Sequence, residues 1–307
     1  MPKNPESLHL SAPAKLNLFL HVLGRSGELS SEEPSLSPIA LAKGDGYHLI
    51  ESLAVFTRFG DHLEVRESQT ISLQVEGPFA DECGPLESNL VLRAAHALAA
   101  LAPAPVGASL KLHKYIPAAS GLGGGSSDAA ATIKLLIQLW DLRIENQVLA
   151  GLALGLGADV PVCLRRRPTT MRGIGDQLSI AHILPLCYVL LVNPRIALST
   201  QAVFEKLNGP FSEALPALSR HISSAKKLVR YLKARGNDLQ QPAIELLPEI
   251  QTVLNSLEEQ KGCLLARMSG SGATCFGLFA NADEMGAAAR IIKRDHPKYW
   301  LAQTRFA

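Results

Sequence analysis

The chain has 307 residues, a formal net charge of +2 and a hydrophobic content of 47%. This length suits about two domains, and the small charge gives no reason to expect nucleic acid or an anionic membrane as a partner. The sequence carries no signal-peptide pattern and no apolar run long enough to span a bilayer. Five cysteines without a Cys-x-x-Cys spacing argue against a disulfide framework or a zinc site. These features predict a cytoplasmic globular protein.

The first periodic segment, residues 8–23, has the alternation of a β-strand. One of its faces is aliphatic, and the other carries Lys15 and Asn17. The pattern therefore predicts that these two polar side chains point the same way. Residues 26–44 have no periodicity, and we expect an exposed loop there.

Later segments alternate between strand and helix patterns. Apolar runs predict strands at residues 52–58, 70–76, 110–113 and 188–192. Helical spacing predicts helices at residues 89–101, 127–140, 146–156, 225–235, 246–259 and 282–293, with another near Thr200. Ser88 or Asn89 is placed to cap the first of these helices. The mixture predicts an α+β fold with an N-terminal domain over residues 1–165 and a C-terminal domain over residues 166–307.

The glycine-rich stretch at residues 116–130 is the most informative part of the chain. Four of the five residues 121–125 are glycine, so the backbone can adopt positive φ and approach a ligand closely. Ser126 and Ser127 add hydroxyl donors, and the helix that follows presents an N-terminus that favours negative charge. We predict a cradle for the phosphates of a nucleotide. A flexible linker is the alternative, and the ordered apolar patterns on both sides argue against it.

Three well-known nucleotide-binding patterns do not fit this stretch. A Walker A loop ends in Gly-Lys-Ser or Gly-Lys-Thr, which does not occur in the chain. A dinucleotide-binding fingerprint needs glycine at its sixth position, which is Ser126 counted from Gly121 and Asp128 counted from Gly123. The His-Arg-Asp and Asp-Phe-Gly tripeptides of protein kinases are also missing from the sequence.

The motifs resemble those of the GHMP kinases, the superfamily of galactokinase, homoserine kinase and mevalonate kinase. Many members carry Gly-Leu-Gly-Ser-Ser-Ala where this chain has Gly-Leu-Gly-Gly-Gly-Ser-Ser-Asp-Ala-Ala. The longer form is similar to that of one branch, which uses ATP to phosphorylate the 2-hydroxyl of 4-diphosphocytidyl-2-C-methyl-D-erythritol in the non-mevalonate (MEP) route to isoprenoids. Four further motifs are similar to those of that branch and occur along the chain in the branch's order, at residues 13–18, 45–48, 157–161 and 270–273.

This resemblance implies a two-domain GHMP kinase fold with the active site in the cleft between the domains, and it implies ATP and Mg²⁺ as cofactors. Asp159 matches the family's catalytic aspartate, which accepts or orients the proton of the substrate hydroxyl. Lys15 matches the paired lysine, which keeps the aspartate ionised and offsets charge in the transition state. Without the family, a helix-capping aspartate and a solvated lysine are the alternatives.

The resemblance also implies two sets of binding residues. For ATP they are Asn89, Lys114, Pro117, Ala118, Ala119, Ser120, Gly121, Leu122, Gly123, Gly124, Gly125, Ser126 and Ser127. For the cytidyl diphosphate substrate they are Asn17, Tyr47, His48, Phe204, Gly270, Ser271 and Gly272.

Several of these assignments carry a specific role or an open alternative. Tyr47 and Phe204 would sandwich the cytosine while His48 reads its polar edge. A core position for Phe204, helix capping by Asn89 and a simple hairpin turn at residues 270–273 are the alternatives. Ser127 is the natural hydroxyl ligand for Mg²⁺, but no carboxylate is marked, so the metal ligands stay open.

The chain departs from the branch mildly at Ser120, where glycine or alanine is common, and more clearly before Asp45, and two other functions are open. Nineteen residues lie between Arg25 and Asp45, where the branch has almost none, and their polar composition favours a tolerated loop. A mevalonate-type or homoserine kinase is disfavoured by the triple glycine. A ligand-sensing regulator without catalysis is disfavoured by the presence of both Lys15 and Asp159. The sequence does not decide between a monomer and a homodimer.

Overall fold

The structure is a computed structural model that describes residues 7–26, 46–181, 183–213 and 222–307. The loop predicted over residues 26–44 lies outside the described residues, apart from Ser26. The described residues include no helix that is both long and apolar enough to cross a membrane. The chain forms two compact units, and each is assembled from segments that are distant in sequence.

Two long strands contribute residues to both units. β1 (Leu8–Arg25) confirms the first predicted strand, and β2 (His48–Glu67) extends the second one at both ends. The two strands pair with each other. Gly60 permits their close approach within the first unit, because a Cβ at this position would lie 2.3 Å from the carbonyl oxygen of Ala12.

The first unit comprises Met1–Ala14, Gly60–Ala118 and Gly123–Arg166. Its further strands are β3 (Ser72–Glu76) and β4 (Ala108–His113), and β4 pairs with β3 on one side and with residues 62–67 of β2 on the other. Its helices are α1 (Leu90–Ala99), α2 (Gly124–Leu139), α3 (Asn146–Leu156) and α4 (Val160–Arg165). Short 3₁₀ turns occupy Ala80–Cys83 and Leu86–Ser88.

The core of the first unit lies between its strands and the helices α1 and α2. The apolar faces that the helical spacing predicted are buried here, with Val91 and Leu98 from α1 and Leu136 from α2 packed with Leu63 and Leu110 of the strands. Burial of each such side chain contributes about 1.5–3 kcal/mol relative to leaving it exposed. This packing holds α2 against the sheet and so fixes where its first turn lies in the unit.

The second unit comprises Lys15–Phe59, Ala119–Leu122 and Arg167–Ala307. Its strands are β5 (Thr169–Gly173), β6 (Gln177–Ile180), β7 (Tyr188–Asn193), β8 (Cys263–Met268), β9 (Cys275–Phe279) and β10 (Trp300–Arg305). β5 pairs with residues 50–54 of β2 and with β6, while the other four form an antiparallel sheet in the order β10-β7-β9-β8. Its helices are α5 (Thr200–Lys206), α6 (Ala225–Lys233), α7 (Gln240–Leu246), α8 (Glu249–Glu258) and α9 (Ala282–Asp295).

The helix predicted over residues 246–259 begins too early. Leu246 ends α7, Leu247 leaves the helical region with φ −142° and ψ 86°, and α8 starts only at Glu249 after Pro248. A proline disfavours helical geometry in the residue before it and suits a helix start, which explains the break. Helix α7 itself and the short strands β5, β6 and β10 were not predicted from the sequence pattern.

The units are not single stretches of chain, because β1 and β2 pass through both. The division into domains at residue 165 therefore remains a sequence-based prediction. The glycine cluster near residue 270 lies in the hairpin that joins β8 to β9, and this places it at one end of the four-stranded sheet.

Candidate active site

The glycine-rich loop has the backbone conformation expected of an anion cradle. Ala119, Gly121 and Gly123 have φ values of 47°, 75° and 61°. Left-handed residues that recur at alternate positions turn successive N–H groups toward one side, which is the geometry of anion-binding nests. The positive φ at Ala119 is unusual for a residue with a side chain and marks the start of this geometry.

Within the second unit, the middle of this loop is anchored on the β8–β9 hairpin and on β1. A Cβ at Gly121 would lie 2.5 Å from the carbonyl oxygen of Ser269 and 2.6 Å from that of Gly272, so only glycine fits. The N–H of Lys15 donates a 2.8 Å hydrogen bond to the carbonyl of Leu122. The loop therefore lies directly against the strand that carries the predicted catalytic lysine.

The first turn of α2, in the first unit, presents backbone donors of the kind that bind anions. The N–H groups at the start of an α-helix have no partner inside the helix, and they carry its positive dipole. Gly125 is exposed, and a Cβ there would make only an ordinary 3.5 Å contact with Leu90, so protein packing does not require glycine at this position. Ser127, the predicted Mg²⁺ ligand, is buried, and its N–H donates to the carbonyl of Gly123.

Two other predicted nucleotide residues, Asn89 and Ala118, make structural contacts. The side chain of Asn89 caps α1, since its Oδ1 accepts a 2.9 Å hydrogen bond from the N–H of Val91. The capping alternative is thus present in the structure, and a nucleotide contact by Asn89 stays a prediction. The N–H of Ala118 donates to Oε2 of Glu82 at 3.1 Å, which holds the loop start after the buried Pro117.

Lys114 lies inside the first unit with only 4% of its surface exposed. Its Nζ donates to Oδ2 of Asp128 at 2.8 Å and also to Oδ2 of Asp61. The two buried carboxylates hold the pKa of Lys114 well above its usual value, despite the opposing effect of burial. Burial raises the pKa of Asp128 to about 7, and the neighbouring carboxylate of Asp61 also raises it while Lys114 lowers it. Sequence reasoning missed Asp61, which no motif marks.

Lys15 and Asn17 form a buried polar pair on β1. Lys15 is 3% exposed, and its Nζ donates a 3.0 Å hydrogen bond to Oδ1 of Asn17, which confirms that the two side chains share a face. The Nδ2 of Asn17 donates to Oγ of Ser52 at 2.7 Å, and that hydroxyl donates to the carbonyl of Phe19. The alternative interpretation of Lys15 as a solvated lysine is therefore wrong.

Ser269 joins this strand to the glycine-rich loop. Its Oγ accepts a 3.2 Å hydrogen bond from the N–H of Asn17 and donates one of 3.2 Å to the carbonyl of Gly121. Gly270 has φ +57°, and a Cβ there would lie 3.2 Å from Oδ1 of Asn17. Asn17 and Gly121, predicted from separate motifs, are thus joined by one hydroxyl that the predicted set did not include, and Gly270 lies beside them.

Asn237 supports the same hairpin from the other side. Its Nδ2 donates to the carbonyls of Met268 (2.9 Å) and Gly270 (2.8 Å), and its Oδ1 accepts from the N–H of Leu239. The amide thus uses both donors and one acceptor to hold the glycine cluster in place. Neither a periodic pattern nor a known motif marks Asn237, whereas the adjacent glycines mark the neighbourhood of Ser269.

The predicted cytosine-binding residues are partly brought together. The rings of His48 and Phe204 lie 4.9 Å apart between centroids, tilted by 34°. Phe204 is partly buried and also packs against the core of the second unit. The alternative prediction, a core position for this ring, is therefore correct for the part of the side chain that is buried. Tyr47 is 46% exposed, and its N–H donates to Oγ of Ser26 at 2.9 Å.

Helix α5 connects the aromatic pair to the glycine cluster. Thr200, the first residue of α5, shares a 2.8 Å hydrogen bond between its Oγ1 and Oγ of Ser271. Phe204 follows one turn later on the same helix. The predicted substrate residues of the second unit are therefore positioned by one short helix and one hairpin.

Asp159 lies in the first unit immediately before α4. It occupies the position of a helix cap, yet its side chain makes no hydrogen bond to the first turn of that helix, which carries Pro161 instead. The residue is half-buried. Helix capping therefore does not explain why an aspartate stands at this position.

No group of three or more His, Cys, Asp and Glu side chains suited to holding a metal ion occurs in the part of the chain that the structure describes. A single hydroxyl such as that of Ser127 fits a Mg²⁺ ion that is held chiefly by phosphate oxygens and water.

Comparison with known proteins supplies the family. The model described as GHMP kinases N terminal domain matches residues 89–167, and that described as GHMP kinases C terminal matches residues 213–298. A protein of Paramagnetospirillum magneticum named 4-diphosphocytidyl-2-C-methyl-D-erythritol kinase is 44% identical over 96% of this chain and 97% of its own length. The chain belongs to this branch of the GHMP kinases. A protein of Ruegeria pomeroyi with the same name is 43% identical over 96% of this chain and 97% of its own length.

Solved structures of GHMP kinases agree with this fold. A crystal structure of 4-(cytidine 5'-diphospho)-2C-methyl-D-erythritol kinase matches with a TM-score of 0.74 at 29% identity, covering 98% of this chain and all of that one. The homoserine kinase of Cytophaga hutchinsonii matches with a TM-score of 0.63 at 17% identity over 100% of this chain and 96% of its own. The latter likeness concerns the GHMP kinase fold alone.

Proposed function

We propose that this GHMP kinase transfers the γ-phosphoryl group of ATP to the 2-hydroxyl of 4-diphosphocytidyl-2-C-methyl-D-erythritol. The observation that carries the proposal is the pair of hydrogen bonds by which the hydroxyl of Ser269, next to Gly270 in the β8–β9 hairpin, joins Asn17 to Gly121. It joins the strand of the predicted catalytic lysine, the phosphate loop and the substrate-side hairpin. The names of the full-length relatives support the same substrate.

In this reaction the substrate oxygen forms a bond to the γ-phosphorus while the bond to the β-phosphate oxygen breaks and ADP leaves. Asp159 accepts the proton of the substrate hydroxyl. It is half-buried immediately before α4 and does not cap that helix, so helix capping is not a competing explanation for the aspartate. Lys15 supplies positive charge that favours the ionised aspartate and offsets the charge of the transition state.

The phosphates of ATP are proposed to lie against the N–H groups of the glycine-rich loop and the first turn of α2. The positive φ values at Ala119, Gly121 and Gly123 and the dipole of α2 support this position. Mg²⁺ supplies positive charge against the phosphate oxygens when it is bound. Ser127 is the proposed hydroxyl on the protein side, within a ligand set completed by phosphate oxygens and water.

The cytosine of the substrate is proposed to stack on Phe204, with His48 and Tyr47 beside it. The contact between the rings of His48 and Phe204 and the exposure of Tyr47 support this arrangement. A cytoplasmic site of action is part of the proposal. It is supported by the five cysteines, none of which forms a disulfide, as expected in a reducing compartment.

The decisive experiment offers three alcohols to the purified protein in parallel. ADP release is recorded with ATP and Mg²⁺ and either 4-diphosphocytidyl-2-C-methyl-D-erythritol, mevalonate or homoserine. We expect turnover with the cytidyl alcohol alone. A preference for mevalonate or homoserine would contradict the substrate but keep the kinase class, and no ADP release with any of them would favour a ligand-sensing protein.

A further inference from the structure

A lysine and two carboxylates form a closed ionic network inside the first unit. Lys114, Asp61 and Asp128 are 4%, 0% and 2% exposed, and the Nζ of Lys114 donates to both carboxylates. Removing one member of such a buried group leaves an uncompensated charge, which is strongly unfavourable. Each of the three side chains therefore constrains the position of the other two.

The members belong to three different elements. Asp61 lies in β2, and its Oδ1 accepts the N–H groups of Tyr115 (2.5 Å) and Ile116 (2.8 Å). Lys114 directly follows β4, and Asp128 is the fifth residue of α2. The network thus links β2, the turn after β4 and the start of α2, which is the helix assigned above to the nucleotide phosphates.

The ammonium group of Lys114 also touches the helix start itself. A Cβ at Gly124, the first residue of α2, would lie 3.1 Å from Nζ of Lys114. A side chain at the second of the three consecutive glycines would therefore crowd Lys114. The first turn of α2 therefore packs against the side chain of Lys114, and the two carboxylates hold that side chain in place.

We propose that Asp61, Lys114 and Asp128 are positioning residues for the nucleotide, which set the first turn of α2 at the place where its N–H groups meet the phosphates. Lys114 acts through this turn without touching the nucleotide. The proposal rests on the proposed kinase function, because that function assigns the phosphates to α2. Misplacement of a positioning element by about 1 Å is enough to lower a reaction rate by about 100-fold.

Four variants test this role. Lys114→Met keeps the length of the side chain and removes its charge, while Asp61→Asn and Asp128→Asn keep the shape and one acceptor. Glu64→Gln is the matched control, because Glu64 lies on β2 near Asp61 but forms an exposed pair with Arg66 at 2.5 Å. Binding of ADP is measured by calorimetry with Mg²⁺, together with the KM for each substrate and the Tm.

We expect each of the three network variants to raise the Kd for ADP by about tenfold or more, as outer partners of a binding site do. The KM for the alcohol and the values of Glu64→Gln should stay within about twofold of wild type. If Asp61→Asn and Asp128→Asn bind ADP normally while only Lys114→Met is weakened, Lys114 contacts the nucleotide directly and the proposal is wrong.

Two further outcomes are distinguishable from these. Normal ADP binding in all folded variants with a lowered Tm means that the network serves folding alone, which overturns the proposal. If Lys114→Met does not fold, the two carboxylate variants decide by the same criterion. Failure of the wild-type protein to bind ADP contradicts the proposed kinase function instead.

Discussion

The backbone N–H of Asn17 and the hydroxyl of Ser269 are joined by a hydrogen bond of 3.2 Å, although 252 residues separate them in the chain. The same hydroxyl donates to the carbonyl of Gly121, so it connects a strand, a hairpin and the glycine-rich loop. Ser269 is fully buried, and water cannot replace either partner readily. This relationship makes Ser269 a sensitive point for the geometry of the whole candidate site.

Ser269→Ala should lower kcat while the protein still folds. The change leaves the buried N–H of Asn17 without its acceptor, which costs about 1–3 kcal/mol of unfolding free energy. Looser placement of β1 against the loop should lower kcat by about tenfold. Ser269→Thr, which keeps the hydroxyl, should retain more activity than the alanine variant. Ser256→Ala is the control, because the half-buried hydroxyl of Ser256 bonds to Thr252 and His296 and not to the candidate site. Equal activity of all three variants would contradict the prediction.

Asp159→Asn should fold normally and lose most of its phosphoryl transfer. The amide cannot accept the substrate proton, so kcat should fall by about 10²–10⁴-fold while the Tm stays close to wild type. Asp141→Asn is a matched control, since Asp141 is exposed and its φ of 47° suits asparagine equally well. Near-normal turnover of Asp159→Asn in a steady-state assay would rule out its role as the base.

Phe204→Ala should weaken binding of the alcohol substrate and leave binding of ATP unchanged. Stacking of a base on an aromatic ring contributes about 1–3 kcal/mol, so the KM for the alcohol should rise by about fivefold or more. Phe204→Leu keeps the apolar contact with the core and should still lose most of the stacking. Phe211→Ala at an exposed position serves as the control. An unchanged KM in both Phe204 variants would assign this ring to the core alone.

Gly121→Ala should lower the stability of the protein, whereas Gly125→Ala should weaken its binding of ADP. At Gly121 a Cβ would collide with the carbonyl oxygens of Ser269 and Gly272, and φ is +75°, so the Tm should fall. At Gly125 the Cβ has room, so the Tm should hold while the Kd for ADP rises, because the methyl group lies where phosphates approach the helix. Calorimetry and thermal unfolding of both variants check this, and normal ADP binding by Gly125→Ala would contradict it.

His21 should make the protein less stable as the pH falls below about 6.5. Its ring is buried, its Nε2 accepts from the N–H of Gly236 at 3.2 Å, and burial lowers its pKa below 6.5. The neutral ring is favoured in the folded state, so stability is full above the unfolded pKa and declines as the pH drops through it toward the folded pKa. Unfolding by urea between pH 8 and pH 5 measures this decline, which should be smaller in His21→Gln. An identical decline in the variant would assign the effect to other groups.

Local features of the site were predictable from sequence because they depend on neighbours along the chain. Alternation in β1 predicted the shared face of Lys15 and Asn17, and the 3.0 Å bond between them confirms it. Cap chemistry predicted Asn89 at the start of α1. The break at Pro248 shows the limit of such patterns, since apolar spacing continued through a proline that interrupts the helix.

The motifs of the sequence by themselves identified the GHMP kinase family. Glycine spacing predicted positive φ in the glycine-rich loop, and alternation predicted the faces of β1, because both patterns act over a few residues. Only the tertiary structure decided that Ser269 joins three motifs, that Asn237 holds the glycine cluster, and that Lys114 is shared by two buried carboxylates. These contacts connect segments far apart in the chain. Their energies come from buried polar groups that must find partners in space, and no local pattern encodes which partner each one finds.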